Sequence, residues 1–254
     1  LVASLPPHLR DLFERPNDEL LRTGKTPPTL KRPLLFASQD EYLALLRRML
    51  TAGMLSFTRS PRAINGLFVV RKDAHTDRLI IDARPGNSLF RSPPHVSLPT
   101  PDLLGQLILE DASRIFVAKV DLSNYYHQFR LPDWMAPFFA LPAVLPADLG
   151  LADKHGAQPI YPCVTTLAMG FSWAVFLAQR VHEHFVFNKL GWFPDDAIFV
   201  HTDSRLNRSR YLIYIDDLVI IARSRQECEQ LQNAYIAACQ RAGFAVKHEK
   251  VVRP

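Results

Sequence analysis

Only three cysteines occur in the 254 residues, Cys163, Cys228 and Cys239. They form no metal-type pair and cannot make a closed disulfide set, so the chain reads as one with free or buried thiols in a reducing, intracellular compartment. No apolar run approaches the ~20 residues that a membrane span needs. The stretch Tyr211 to Ala222 comes nearest, and Asp216 and Asp217 interrupt it. Internal repeats and low-complexity tracts are lacking, as are a Gly-x-Ser-x-Gly elbow and a phosphate-binding glycine loop, which leaves repeat arrays, elbow-type hydrolases and P-loop enzymes without a signature. The chain opens on Leu1 with no basic-then-apolar leader behind it, and the expectation is a soluble piece of something longer.

Net charge is also modest: 30 Lys+Arg against 25 Asp+Glu leave +5. The charge is unevenly placed, however. Between Arg59 and Arg91 stand seven basic and three acidic residues, a net +4, so a phosphate-bearing partner is a reasonable first expectation. With 48% hydrophobic and 22% charged residues, the composition excludes a disordered or fibrous chain. The length suits one large domain or two subdomains sharing a core. Twenty prolines, about 8% against a usual ~5%, predict many irregular connections.

Periodicity organises the rest. Residues 1–36 are proline-rich, with room for one short helix before Pro27-Pro28. Ser38 with Glu41 is a capping box; Tyr42, Leu45, Leu46, Met49 and Leu50 follow at helical spacing, and Gly53 closes the helix. Gly66 to Val70 and Arg78 to Asp82 flank a polar stretch and predict a β-hairpin with a basic tip. Thr100-Pro101-Asp102 opens another helix, and Ile115 to Asp121 reads as a buried strand ending in a carboxylate. Residues 132–162 read as short strands and loops, and Gly170 to Leu190 as a helix closed by Gly191. Trp192 to Arg210 reads as a charged insertion that carries Arg205, Arg208 and Arg210. Two short apolar runs, Tyr211 to Ile215 and Leu218 to Ala222, then flank Asp216-Asp217. Ser224 with Glu227 predicts a second capping box for a helix ending at Gly243, and Val246 to Val252 a last edge strand. Helices interleaved with few strands make the class α+β.

The acidic pair is the most informative feature. Two acids between hydrophobic strands would sit in a hairpin turn, where Asn-Gly or Asp-Gly is the ordinary choice. Uncompensated like charges there cost stability unless a cation is shared. Asp121, ending another buried strand, is the natural third ligand if the strands are neighbours. Hard divalent cations such as Mg²⁺ take oxygen ligands of this kind and keep the remaining positions for water or substrate phosphates. His182 and His184, two apart on a predicted helix, face different ways and make no chelating pair.

Tyr214-Ile-Asp-Asp217 resembles the Tyr-x-Asp-Asp signature of reverse transcriptases, and four further blocks resemble the same family in the same order. Lys119-Val-Asp121 through Tyr126-His-Gln-Phe-Arg130 is similar to its first catalytic block, in the retrotransposon form. Arg71-Lys72, Arg78 and Ile81-Asp82-Ala-Arg84-Pro-Gly-Asn87 resemble the fingers block, Leu167-Ala-Met-Gly170-Phe-Ser-Trp-Ala174 the block around template and nucleotide, and Gly243 to Lys250 the block after the catalytic hairpin. The blocks span Gly66 to Lys250.

The resemblance implies an RNA-directed DNA polymerase with right-hand fingers (37–91 and 133–169) and palm (92–132 and 170–254), the palm an antiparallel sheet packed on helices, preceded by an N-terminal extension (1–36). The thumb would be missing, along with further parts of a longer polyprotein. Asp121, Asp216 and Asp217 would bind two Mg²⁺ ions, with Mn²⁺ as an alternative. Arg71, Lys72 and Arg78 would hold the triphosphate of a dNTP, Tyr126 would exclude a 2′-hydroxyl, and Gly170 and Gln179 would line the nucleotide and template. Lys250 would protonate the pyrophosphate, a solvated lysine being the other reading. Partners would be an RNA or DNA template, a nucleic-acid primer and dNTPs, with no membrane. Where the family commonly reads Leu-Pro-Gln-Gly, this chain has Ala168 and Met169 in place of Pro and Gln, so that glutamine's hydrogen bonds are lost. Two rivals stay open: an RNA-dependent RNA polymerase, against which Tyr126 argues, and a domesticated, inactive nucleic-acid-binding scaffold, against which three retained acids argue.

Overall fold

The structure, a computed structural model, describes residues 1–34, 38–109, 114–199 and 205–254. Its helices are α1 (Pro7–Glu14), α2 (Gln39–Thr51), α3 (Arg84–Asn87), α4 (Pro101–Gly105), α5 (Ala152–His155), α6 (Ala174–Asn188) and α7 (Arg225–Ala242). Its strands are β1 (Leu55–Thr58), β2 (Gly66–Arg71), β3 (Asp77–Asp82), β4 (Phe116–Asp121), β5 (Tyr161–Val164), β6 (Arg210–Tyr214) and β7 (Asp217–Ala222). The class is α+β, with every strand pair antiparallel. Two compact units divide the chain: Leu1–Ala3, Pro7–Pro93 and Phe129–Ala174 in one, Ser4–Pro6, Pro94–Gln128 and Val175–Pro254 in the other. No helix among the described residues is long and apolar enough to cross a membrane.

In the first unit the Ser38 capping box forms in full: Ser38 Oγ accepts from Glu41 N–H, and Glu41 Oε2 accepts from Ser38 N–H. The helix it starts buries Tyr42, Leu43, Leu46 and Met49; Leu45 and Leu50 are half-buried. The β2–β3 hairpin pairs Gly66 with Asp82 through to Arg71 with Asp77. At its tip, Asp73 Oδ1 accepts from the N–H groups of His75 and Thr76, both at 2.9 Å. The β1–β5 pair, not anticipated from the sequence, joins Leu55 to Val164 and Thr58 to Tyr161. Between 132 and 162 the prolines give 3₁₀ turns at Asp133–Phe139 and Pro146–Leu149. Phe90 anchors this core through ring contacts with Phe138 and Phe171 at 5.2 and 5.0 Å. Trp134 and Trp173 pack inside the unit, their indole N–H groups donating to the carbonyls of Phe13 and Arg91.

The second unit is built on the sheet β4-β7-β6. One face, carrying Ala118, Val120 and Ile220, is buried under α7. On the other, Leu212 and Ile221 cluster with Leu103, Ile198 and Leu206. Ser224 accepts from Glu227 N–H, one half of the expected capping box, and Gly243 closes α7 in the left-handed conformation as the sequence predicts. The helix expected from Gly170 starts only at Ala174.

The expected strand Val246–Val252 is replaced by a segment that bridges Lys119 of β4 through Val252 and Leu122, just past β4, through Val246, with a 3₁₀ turn, His248–Lys250, between them. The insertion is in part ordered packing: Arg210 is 4% exposed and donates to the carbonyl of Asp195 at 2.6 Å, while Arg208 pairs with Asp196 at 2.5 Å. Residues 200–204 of that insertion lie outside the described residues. The three cysteines are buried and free.

Candidate active site

The register of one strand pair brings the acids together. Asp121 ends β4, Asp217 begins β7, and the two are direct cross-strand partners. Like charges placed so are destabilising unless neutralised. Because Cβ atoms alternate, Lys119 shares their face and stands diagonal to Asp217; its Nζ lies 2.9 Å from Asp217 Oδ2. Lys250, on the 3₁₀ turn beside β4, reaches Asp121 Oδ2 at 3.4 Å. The segment holding it is fixed by Lys247 N–H donating to the Asp121 carbonyl at 2.8 Å. Sequence reasoning gives Lys119 no role of its own, although its i−2 spacing from Asp121 is a usable signal.

The hairpin turn differs from expectation. Its two residues are Ile215 and Asp216, and Asp217 already belongs to the strand. Ile215 has φ +54° while Asp216 does not enter the positive region, the φ pattern of a II′ turn. A β-branched residue is a true outlier there, and such strain costs on the order of 1–3 kcal/mol. Both polar groups of the Ile215 backbone are held: its N–H donates to Gln179 Oε1 at 2.7 Å, and its carbonyl lies 2.7 Å from His182 Nδ1. Burial raises the Asp216 carboxyl above the ordinary carboxylate range, and the neighbouring Asp217 and Asp121 add to this.

The acids fit a hard divalent cation in donor type. Asp217 Oδ1 is buried without a hydrogen-bond partner, and Asp216 is held where ionisation is disfavoured without a counter-charge. Yet among the described residues no three His, Cys, Asp or Glu side chains stand ready to hold a metal ion. Asp121 and Asp217 are instead engaged by lysines, and the expected three-carboxylate convergence is met as cross-strand neighbours plus an adjoining turn residue. One or two carboxylates completed by substrate phosphates are an ordinary Mg²⁺ site.

The residues expected around a nucleotide fall into two groups. Arg71, Lys72 and Arg78 are exposed on the β2–β3 tip, where Arg71 donates to the carbonyls of Asp73 and Ala74, both at 3.3 Å. Tyr126 is half-buried on a 3₁₀ turn, Tyr125–Gln128, that follows left-handed Asn124. Gly170 and Gln179 touch the protein's own backbone. A Cβ on Gly170 would lie 1.9 Å from the Ile81 carbonyl oxygen, and its φ is +116°, so glycine is required by packing against β3. Gln179 is fully buried, bonding Ile215 N–H, the Ile213 carbonyl and Glu183. His182, which makes no chelating pair, and Tyr235 behind it escape sequence reasoning, since polar residues on an apolar helix face give no sign of the turn they meet. Asn87, at the end of the block that resembles the fingers, ties that block to the Gly170 loop. Its side-chain amide bridges the Gly170 carbonyl and Ser172 N–H, each at 2.9 Å.

An antiparallel sheet whose hairpin presents acids at one end, with helices packed on a face, defines an α+β polymerase-type domain. The family model described as "Reverse transcriptase (RNA-dependent DNA polymerase)" matches residues 70–253, and the chain belongs to that family. No curated protein matches it. Among solved structures, it is similar to a foamy viral protease-reverse transcriptase in complex with double-stranded DNA, at 15% identity and a TM-score of 0.63, over 91% of this chain. The chain spans about a third of that protein's length, 34%.

Proposed function

We propose that the chain is the fingers and palm of an RNA-directed DNA polymerase from a retroelement, with fingers at 37–91 and 133–169 inside the first unit and palm at 92–132 and 170–254 mostly inside the second. The observation that carries this reading is the register that sets Asp121 opposite Asp217 with Asp216 in the adjoining turn. In the reaction, the 3′-hydroxyl of a primer gives up its proton to water, its oxygen bonds to the α-phosphorus of a dNTP paired with an RNA or DNA template, and the bond to pyrophosphate breaks. Asp121, Asp216 and Asp217 would hold two Mg²⁺ ions, or Mn²⁺; when bound, these supply charge neutralisation for the attacking and leaving oxygens. Lys119 and Lys250 keep the carboxylates compensated in their absence, and Lys250 carries a proton on Nζ for the departing pyrophosphate. Arg71, Lys72 and Arg78 offer cationic groups suited to phosphate. Tyr126 would crowd a ribose 2′-hydroxyl and so favour deoxynucleotides.

The test is primer extension on RNA and DNA templates with dNTPs or NTPs and Mg²⁺. The wild-type chain, supplied with a thumb if extension needs one, is expected to extend with dNTPs, and Asp216→Asn to reduce extension by at least about 10³-fold. Because that change removes a like charge beside Asp217, its thermal midpoint should not fall. Undiminished extension by Asp216→Asn would refute the assignment, and efficient use of NTPs would favour the RNA-polymerase alternative.

A further inference from the structure

The left-handed Ile215 is gripped by two side chains of one helix. Gln179 and His182 stand three positions apart on α6, hence on one face, and meet the Ile215 N–H and carbonyl at 2.7 Å each. The direction of the second bond follows from chemistry: a carbonyl oxygen only accepts, so His182 Nδ1 carries the proton. In the neutral imidazole Nε2 then holds a lone pair, and the Tyr235 hydroxyl, 2.7 Å away, donates to it. Hydrogen bonds therefore run from Tyr235 on α7 through His182 to Ile215, the residue before Asp216. His182 and Tyr235 are 1% and 0% exposed, so bulk water does not compete for them.

We propose that His182, oriented by Tyr235, is a positioning residue for nucleotidyl transfer: it fixes the Ile215 peptide in the left-handed turn that aims the Asp216 carboxylate. This rests on the polymerase reading above. A β-branched residue at positive φ relaxes when its backbone is released, and the Ile215–Asp216 peptide plane then rotates with it. An aliphatic side chain would fill the space of His182 without a polar group to desolvate. What the imidazole adds is a donor aimed at one carbonyl, and the phenol, bonded to Nε2, holds the ring in that aim. Sequence spacing alone reads His182 as half of a failed metal pair; the fold gives it a different partner.

The experiment compares His182→Leu, His182→Asn and Tyr235→Phe with wild type in steady-state primer extension. It also follows side-chain ¹⁵N shifts of His182 and amide exchange at Ile215 and Asp216. His182→Leu should lower kcat by about 10–100-fold with KM for dNTP within about twofold. Asparagine, whose Nδ2 can donate from the place of Nδ1, should restore most of the rate and slow amide exchange again. Wild type should show the Nδ1–H tautomer that the Ile215 carbonyl demands, and Tyr235→Phe, which frees the ring to turn, should lower kcat and speed amide exchange at Ile215. Should His182→Leu not fold, Tyr235→Phe carries the comparison of rate and amide exchange. Wild-type kcat in His182→Leu, no advantage of asparagine over leucine, or an Nε2–H tautomer overturns the proposal. A wild-type chain that extends no primer overturns the polymerase reading instead, and tautomer and exchange then decide the clamp alone.

Discussion

A histidine buried among hydrogen-bonding partners has a consequence for stability separate from any role in the turn. Burial pushes the His182 pKa down to about 4 in the folded chain, against 6.5 when unfolded. Above pH 6.5 both states are neutral at this site. Between 6.5 and 4 only the unfolded chain takes up the proton, so stability falls as pH drops through that window. The full effect is about 3 kcal/mol, of which about 2 kcal/mol is lost by pH 5. Urea unfolding at pH 7.5 and pH 5 should show this loss in wild type and a smaller one in His182→Asn. Equal pH sensitivity in the two proteins would assign the loss to other groups. Nothing in the sequence distinguishes His182 from His184, whose Nδ1 meets Asn188 of its own helix; their difference is made by Ile215 and Tyr235, distant in sequence.

At the scale of elements, what was legible had a local cause. The Ser38–Glu41 box, the Gly53 and Gly243 stops and the β2–β3 hairpin each follow from a few adjacent residues, and each forms as read. The errors lie where a distant partner overrides local pattern. Val246 to Val252 reads as a strand, but it bridges Leu122 and Lys119 at its ends and turns between them, which carries Lys250 toward Asp121. At Gly170 the sequence gives no sign that β3 is the close neighbour. The Met169 carbonyl accepts from Ile81 N–H at 2.9 Å, and the Ile81 carbonyl occupies the place of the missing Cβ. Gly170→Ala must therefore force the loop away from β3 and hold alanine at a disfavoured φ. The expected cost is about 3 kcal/mol or more, read as a shift of the urea midpoint. A change below about 1 kcal/mol would mean that the loop moves freely from the hairpin.

Over the whole molecule, a net charge of +5 conceals a local +4 between Arg59 and Arg91, a block that lies within the first unit. The three acids, by contrast, belong to the second. A uniformly basic surface would hold nucleic acid without regard to position, whereas here the cationic hairpin tip and the acidic sheet end are assigned to different units. Under the proposed function the tip would serve either the triphosphate or the phosphates of a template, and measurement separates the two. Lys72 and Arg78 are exposed, so Lys72→Ala with Arg78→Ala should change stability by no more than about 0.5 kcal/mol. If the pair binds the triphosphate, KM for dNTP rises by about tenfold or more while the salt dependence of template-primer affinity stays as in wild type. If it grips the nucleic-acid backbone, KM holds, and the slope of log affinity against log salt falls by about one for each charge removed. The triphosphate assignment is given up in that second case, and the Arg71 guanidinium, which braces the tip's own carbonyls, then acts by shaping the loop.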